Sequence, residues 1–168
     1  MPGLGGKALS ETHALETADA LNQINPHFIR LRTLAIPNRL ELYEEYQAGK
    51  FEKCTDLMMA GEILLFIESL EGITSVVKSD HILNLFQEVE GKLPDDKEYM
   101  TGIIKSFLAM GPEQQCIYQA GRRLGVFAQL SDMEDSYKVA RVEQVCRQMG
   151  VTADNIDATI EELTKRFV

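Results

Sequence analysis

Apolar residues along this chain recur at two different spacings, and the changes of spacing mark its elements. Ala14, Leu15, Ala18 and Leu21 recur at short helical intervals, which predicts a helix. Ser10 stands where an N-cap belongs, with Glu11 suited to the first turn. Asn25-Pro26 stops the pattern. The period then drops to that of a strand in residues 28–36, closed by Pro37. Extended backbone puts Ile29, Leu31 and Thr33 on one face and Phe28, Arg30, Arg32 and Leu34 on the other. Two arginines on such a strand either reach water at an edge or point into a polar site.

Helical spacing returns with Leu40, Tyr43 and Tyr46 and ends at Gly49. Thr55 is placed to cap a longer helix over residues 56–70, whose apolar positions include Met59, Ile63, Phe66 and Ile67. Gly72 suits the left-handed position after it. Residues 73–77 read as a second strand, followed by Lys78, Ser79, Asp80 and His81. Beyond that point every segment reads as helix. Leu83, Phe86 and Val89 predict a short one over residues 82–90. Further helices are expected from Leu93-Pro94-Asp95, from Gln115 to Leu124 after Gly111-Pro112 breaks and restarts the chain, proline suiting a first turn, from Ser131 or Asp132 to Met149, and from Thr152 onward with Ile156, Ile160 and Leu163 as the inward stripe.

A strand, a helical connection and a strand predict parallel pairing through a right-handed crossover. Parallel strands call for helices on their faces. The expected fold is helix-dominated α/β, with two or three parallel strands in residues 1–81 and a helical bundle in residues 82–168. Two strands alone do not make a free-standing sheet.

Composition adjusts this picture little. The 168 residues fit a single core, with 45% hydrophobic and 26% charged side chains. A net charge of -9 argues against nonspecific binding to nucleic acid or an anionic membrane. No apolar run is long enough to span a bilayer, and the start has no signal-peptide pattern, so a cytoplasmic location is expected. Cys54, Cys116 and Cys146 are far apart and read as reduced thiols. No local zinc or iron–sulfur motif occurs, and no metal ligand set is assigned.

Several stretches resemble the C-terminal part of radical SAM proteins, in the branch containing elongator-like and oxygen-independent coproporphyrinogen-oxidase-like members. They are Met1-Pro-Gly-Leu-Gly-Gly6, the run from Ile24 to Pro37, the run from Leu70 to Asn84, Gly91-Lys-Leu-Pro-Asp95, and Lys165-Arg166-Phe167. The resemblance implies a partial (β/α) barrel, with residues 1–6 ending its fifth strand and residues 28–36 forming its sixth. It implies S-adenosylmethionine and a [4Fe–4S] cluster for the full-length family. The family's CxxxCxxC segment is absent here, so no cluster is expected on this chain by motif, and no radical activity from it alone. Truncated homologue, fragment and internal start are all open. Family members continue after the proline with Gly-Thr-Pro, where this chain has Asn38-Arg-Leu-Glu41.

Barrels work at the C-terminal ends of their strands. On the resemblance, Gly3, Gly5 and Gly6 line the cofactor pocket through backbone, the competing reading being a frayed terminus. Arg30 and Arg32 could hold a carboxylate in a two-pronged contact, or pair with the acidic surface. Asp80 and His81 are acid–base candidates, although Ser79 or Asp80 is expected mainly to cap a helix at Ile82. The alternative to an enzyme portion is a non-catalytic module that self-associates through an exposed strand edge. Its partner is then a second copy, or else the missing N-terminal half of the barrel.

Overall fold

The computed structural model describes residues 1–164; the Lys165-Arg166-Phe167 motif lies outside them. The chain divides into two compact units, Met1–Lys105 and a second from Ser106 onward. Helix dominates, with seven α-helices and a small mixed sheet among the described residues.

The first unit begins with a buried turn. Pro2 and Gly3 are enclosed, and the backbone is tied down by Leu34 N–H to the Pro2 carbonyl (3.0 Å) and Lys7 N–H to the Glu52 carbonyl (2.9 Å). Gly3 and Gly6 have φ of 84° and 60°, a region that costs other residues more than glycine. Helix α1 (Gly6–Ile24) follows, with a kink at Leu9 where φ is -120°. Ser10 therefore starts the regular part of the helix and does not cap it. Asn25 ends α1 in the left-handed conformation at φ 47°. Its side chain then accepts the Thr74 N–H at 2.9 Å.

Strand β1 (Phe28–Arg30) alternates as its sequence predicts: Ile29, Leu31 and Thr33 are buried, Phe28, Arg30 and Arg32 exposed. The paired part is shorter than residues 28–36, since strand order ends at β1 and the chain beyond Leu31 leaves the ladder. Helix α2 (Glu41–Gln47) buries no residue. Helix α3 (Asp56–Glu68) is capped as expected, with Thr55 accepting the Met58 N–H. Its C-terminal carbonyls are satisfied from two sides. Asn22 of α1 donates to the Ser69 carbonyl at 2.9 Å, and Lys97 Nζ donates to the Glu68 and Leu70 carbonyls at 2.8 and 2.7 Å, a cation placed where the helix dipole favours it.

Strand β2 (Val76–Lys78) pairs parallel with β1, with Phe28, Ile29 and Arg30 opposite Val76, Val77 and Lys78. Residues 82–90 are not the expected helix; they form turns. Residues 83–86 are four consecutive buried positions, which one face of a surface helix cannot supply. Local side-chain bonds hold the alternative. Ser79 donates to the Phe86 carbonyl, and Glu90 accepts Ser79 N–H at 3.1 Å and Lys78 Nζ at 2.6 Å. With no helix at Ile82, neither Ser79 nor Asp80 is a cap. The turns return the chain as β3 (Gly91–Lys92), antiparallel to β2. The sheet is thus mixed, and only its β1–β2 pair is parallel.

Helix α4 (Lys97–Leu108) crosses into the second unit. There, α5 (Pro112–Arg123) starts on its proline as predicted. Phe107, Tyr118 and Phe127 form an aromatic core, with ring centroids 5.4 and 6.2 Å apart in sequence order. Arg122 donates to the Phe127 and Ala128 carbonyls at 2.7 and 3.0 Å, so it fixes the turn after α5. A 3-10 turn (Leu130–Glu134) precedes α6 (Ser136–Met149). Asp135, and neither Ser131 nor Asp132, caps α6. Asp132 instead closes the turn before it, accepting Ala128 and Gln129 N–H and pairing with Lys138 at 2.6 Å. Helix α7 (Ile156–Thr164) buries Ile156, Ile160 and Leu163, the predicted stripe.

Candidate functional site

Two groups of polar side chains flank β1. The first lies at the C-terminal ends of the parallel pair. Because the register sets Arg30 beside Lys78, the residues that follow each strand meet. Arg30 grips Asp80 through Nε and Nη2 across the strand ends. That bond is the main reason the Asp80 carboxyl is held below its usual range, with Arg32 adding to it. Arg32 is exposed and makes no hydrogen bond or ion pair among the described residues. It faces His81 electrostatically. Burial, then the positive field of Arg32, lowers the His81 pKa, while Asp80 opposes them. His81 Nδ1 is enclosed without a hydrogen-bond partner among the described residues. Arg30, Arg32, Asp80 and His81 therefore form one cluster, as their positions in sequence suggest.

Asn84 holds this end in place. Its side-chain oxygen accepts Thr33 N–H and Oγ1 at 2.9 and 3.0 Å. Its amide donates to the Leu31 carbonyl and Ser79 Oγ at 2.8 and 2.9 Å. One buried amide thus fixes the chain leaving β1 against the chain leaving β2.

The second group centres on Glu62, a residue that the periodicity of α3 passes over. Its side chain is 2% exposed. Oε1 accepts Gly3 N–H at 2.9 Å and lies 2.9 Å from His13 Nδ1. Oε2 accepts Ser10 Oγ–H at 2.5 Å. The buried carboxylate therefore gathers donors from the N-terminal turn and from α1, which is how a carboxyl is accommodated away from water. A cavity of about 270 Å³ opens beside it, lined by α1, α3 and β1.

Gly3, Gly5 and Gly6 stand apart from the arginine cluster in their contacts. A Cβ at Gly5 would lie 2.8 Å from the Leu9 carbonyl oxygen, and one at Gly6 2.8 Å from that of Glu52. The small size of Gly5 and Gly6 is used for the chain's own close packing, whereas a Cβ at Gly3 would meet Met59 Sδ at an ordinary 3.4 Å.

Burial pushes the Cys116 thiol up to about 11 and raises Cys54 and Cys146 as well. Among the described residues, no three His, Cys, Asp or Glu side chains converge to hold a metal ion. The exposed guanidinium of Arg32 is of the kind that can hold a carboxylate. No helix among the described residues is long and apolar enough to cross a membrane.

Comparison with known proteins returns no match to a family model, a curated protein or a solved structure.

Proposed function

We propose that this chain is the C-terminal portion of a radical SAM enzyme, contributing part of a partial (β/α) barrel and its helical C-terminal region. The observation carrying the proposal is the β1–β2 pair: adjacent parallel strands with α1 and α3 on one side and a polar cluster at their C-terminal ends. The other side of β1 is open, with Phe28 57% exposed. Sheets with parallel strands normally cover both faces, and in a barrel that side faces the interior.

In this reading Arg32 receives the cofactor carboxylate, Arg30 and Asp80 set the floor of the pocket, and His81 is the acid–base candidate. Gly3, Gly5 and Gly6 contribute only backbone. S-adenosylmethionine, when bound, supplies the carbon–sulfur bond whose cleavage starts the family's reaction. The cluster that cleaves it has no ligands here, so the isolated chain binds without reacting. Calorimetric titration of the purified chain with S-adenosylmethionine tests this. The parent is expected to bind, and Arg32→Ala to weaken binding by at least about tenfold, as for a lost charge-assisted bond. Equal binding by both, or no binding by the parent, refutes it.

A second reading has its own observation. β1 ends the sheet, with β2 on its only paired side. Such an edge pairs readily with another strand, and a self-associating module would cover it with a second copy. Light scattering across a wide concentration range is expected to show a dimer; a strict monomer removes this reading.

A further inference from the structure

The Glu62 cavity has a composition that neither reading above uses. Its apolar walls come from Ala14 and Leu21 of α1, Ile29 and Leu31 of the β1 segment, and Ile63 and Phe66 of α3. Against these walls stands one imidazole, His13, also lining the cavity. Its Nδ1 lies 2.9 Å from Glu62 Oε1, an oxygen that already accepts Gly3 N–H. The carboxylate therefore holds the hydrogen on Nδ1, as such partners do for histidines in functional sites. In the neutral ring that leaves Nε2 with an unshared pair, the one polar atom His13 can offer to an occupant. Both Glu62 oxygens are meanwhile engaged by Gly3, Ser10 and His13, so the carboxylate orients the ring and is not itself the contact.

We propose that this cavity is a binding site for a small, largely apolar molecule carrying one hydrogen-bond donor, a hydroxyl or an amine, which donates to His13 Nε2. Thr17 and Arg30 also line the cavity, and apolar walls with a few placed polar groups are the usual make-up of a small-molecule pocket. The volume, about 270 Å³, limits the occupant to the size of a single substituted ring. Arg30 lines this cavity as well as flooring the pocket of the radical SAM reading, but the contact to His13 uses neither Arg32 nor His81, so either reading can fail without the other.

The test uses the whole isotopically labelled chain and two probes that differ by one hydroxyl, benzyl alcohol and toluene. Benzyl alcohol is expected to shift the methyl signals of Ile29, Leu31 and Ile63 and the Nε2 resonance of His13 saturably. It is expected to bind about five- to tenfold more tightly than toluene, the increment of one hydrogen bond. The long-range nitrogen spectrum should show His13 protonated on Nδ1. In His13→Ala the preference for the alcohol should vanish while toluene still binds. Equal binding of the two probes by the parent, absence of saturable shifts, or a neutral His13 protonated on Nε2 would each overturn the proposal without recourse to a variant.

Discussion

Replacing Glu62 separates hydrogen-bond loss from charge loss at one buried position. In Glu62→Ala, Gly3 N–H, Ser10 Oγ–H and the His13 ring lose their common acceptor. Each buried donor left unsatisfied costs about 1–3 kcal/mol, and partial rescue by water entering the adjacent cavity lowers the sum to about 3–5 kcal/mol. In Glu62→Gln the outcome differs, because the amide oxygen can stay with Gly3 and His13 while the amide nitrogen donates to Ser10 Oγ, which turns from donor to acceptor. Only the charge assistance is lost, a cost of about 1–2 kcal/mol. Thermal unfolding at a helix-sensitive wavelength is the assay. At roughly 2–4 °C per kcal/mol for a chain of this size, alanine should lower the first unit's midpoint by about 6–20 °C and glutamine by about 2–8 °C. Amide exchange at Gly3 should quicken in alanine before global unfolding does. If alanine unfolds where the parent does, or glutamine costs as much as alanine, the account of Glu62 as a shared acceptor is wrong.

Three further outcomes are expected. Asn84→Ala strands the Thr33 N–H and the Leu31 carbonyl, and should cost about 2–5 kcal/mol by urea unfolding; a change below about 0.5 kcal/mol would contradict the knot. The imidazole of His81 should titrate below 6.5 by proton NMR. With the folded value depressed, its contribution to stability is present above the unfolded pKa and lost as pH falls from there toward the folded one. Arg32→Ala should raise the midpoint without restoring the ordinary value, since burial is the larger cause, and Asp80→Asn should lower it further. Gly121→Ala normally helps a helix by about 1 kcal/mol. Here the new Cβ would sit 2.1 Å from the Phe127 ring, so a net loss of about 1–3 kcal/mol is expected; a stabilised variant by calorimetry would show that the second unit's core is looser than described.

The parts of the fold that were legible in sequence are those governed by a local period or a local cap. The alternation of residues 28–33, the Thr55 cap, the proline start of α5 and the stripe of α7 all depend on neighbours within a turn or two. Parallel pairing of β1 and β2 followed from the length of the connection. Residues 82–90 misled because Leu83, Phe86 and Val89 have helical spacing, while Asn84 and Leu85 between them are also buried. Ser79 and Asn84 bind backbone and so compete with a helix. The Asp135 cap was displaced by four residues from Ser131 because Asp132 is spent on the preceding turn.

At the site, Arg30, Arg32, Asp80 and His81 could be placed together because parallel strands bring their ends to one side. Glu62 could not. Its partners lie 49 to 59 residues away, a distance periodicity does not reach. One signal was nevertheless present: a lone carboxylate at the centre of Met58-Met-Ala-Gly-Glu-Ile-Leu-Leu-Phe66, where α3 is otherwise apolar. A charge kept in such a run has to find donors elsewhere.

The Asn84 knot also says something about the order in which the molecule assembles. It closes spans of 51 and 53 residues, and the Asn22 clasp on α3 closes 47. Loop-closure entropy must be met before long-range bonds form, so chains rich in them fold more slowly. The N-terminal unit therefore cannot close this knot during synthesis until Asn84 has emerged, 53 residues after Leu31.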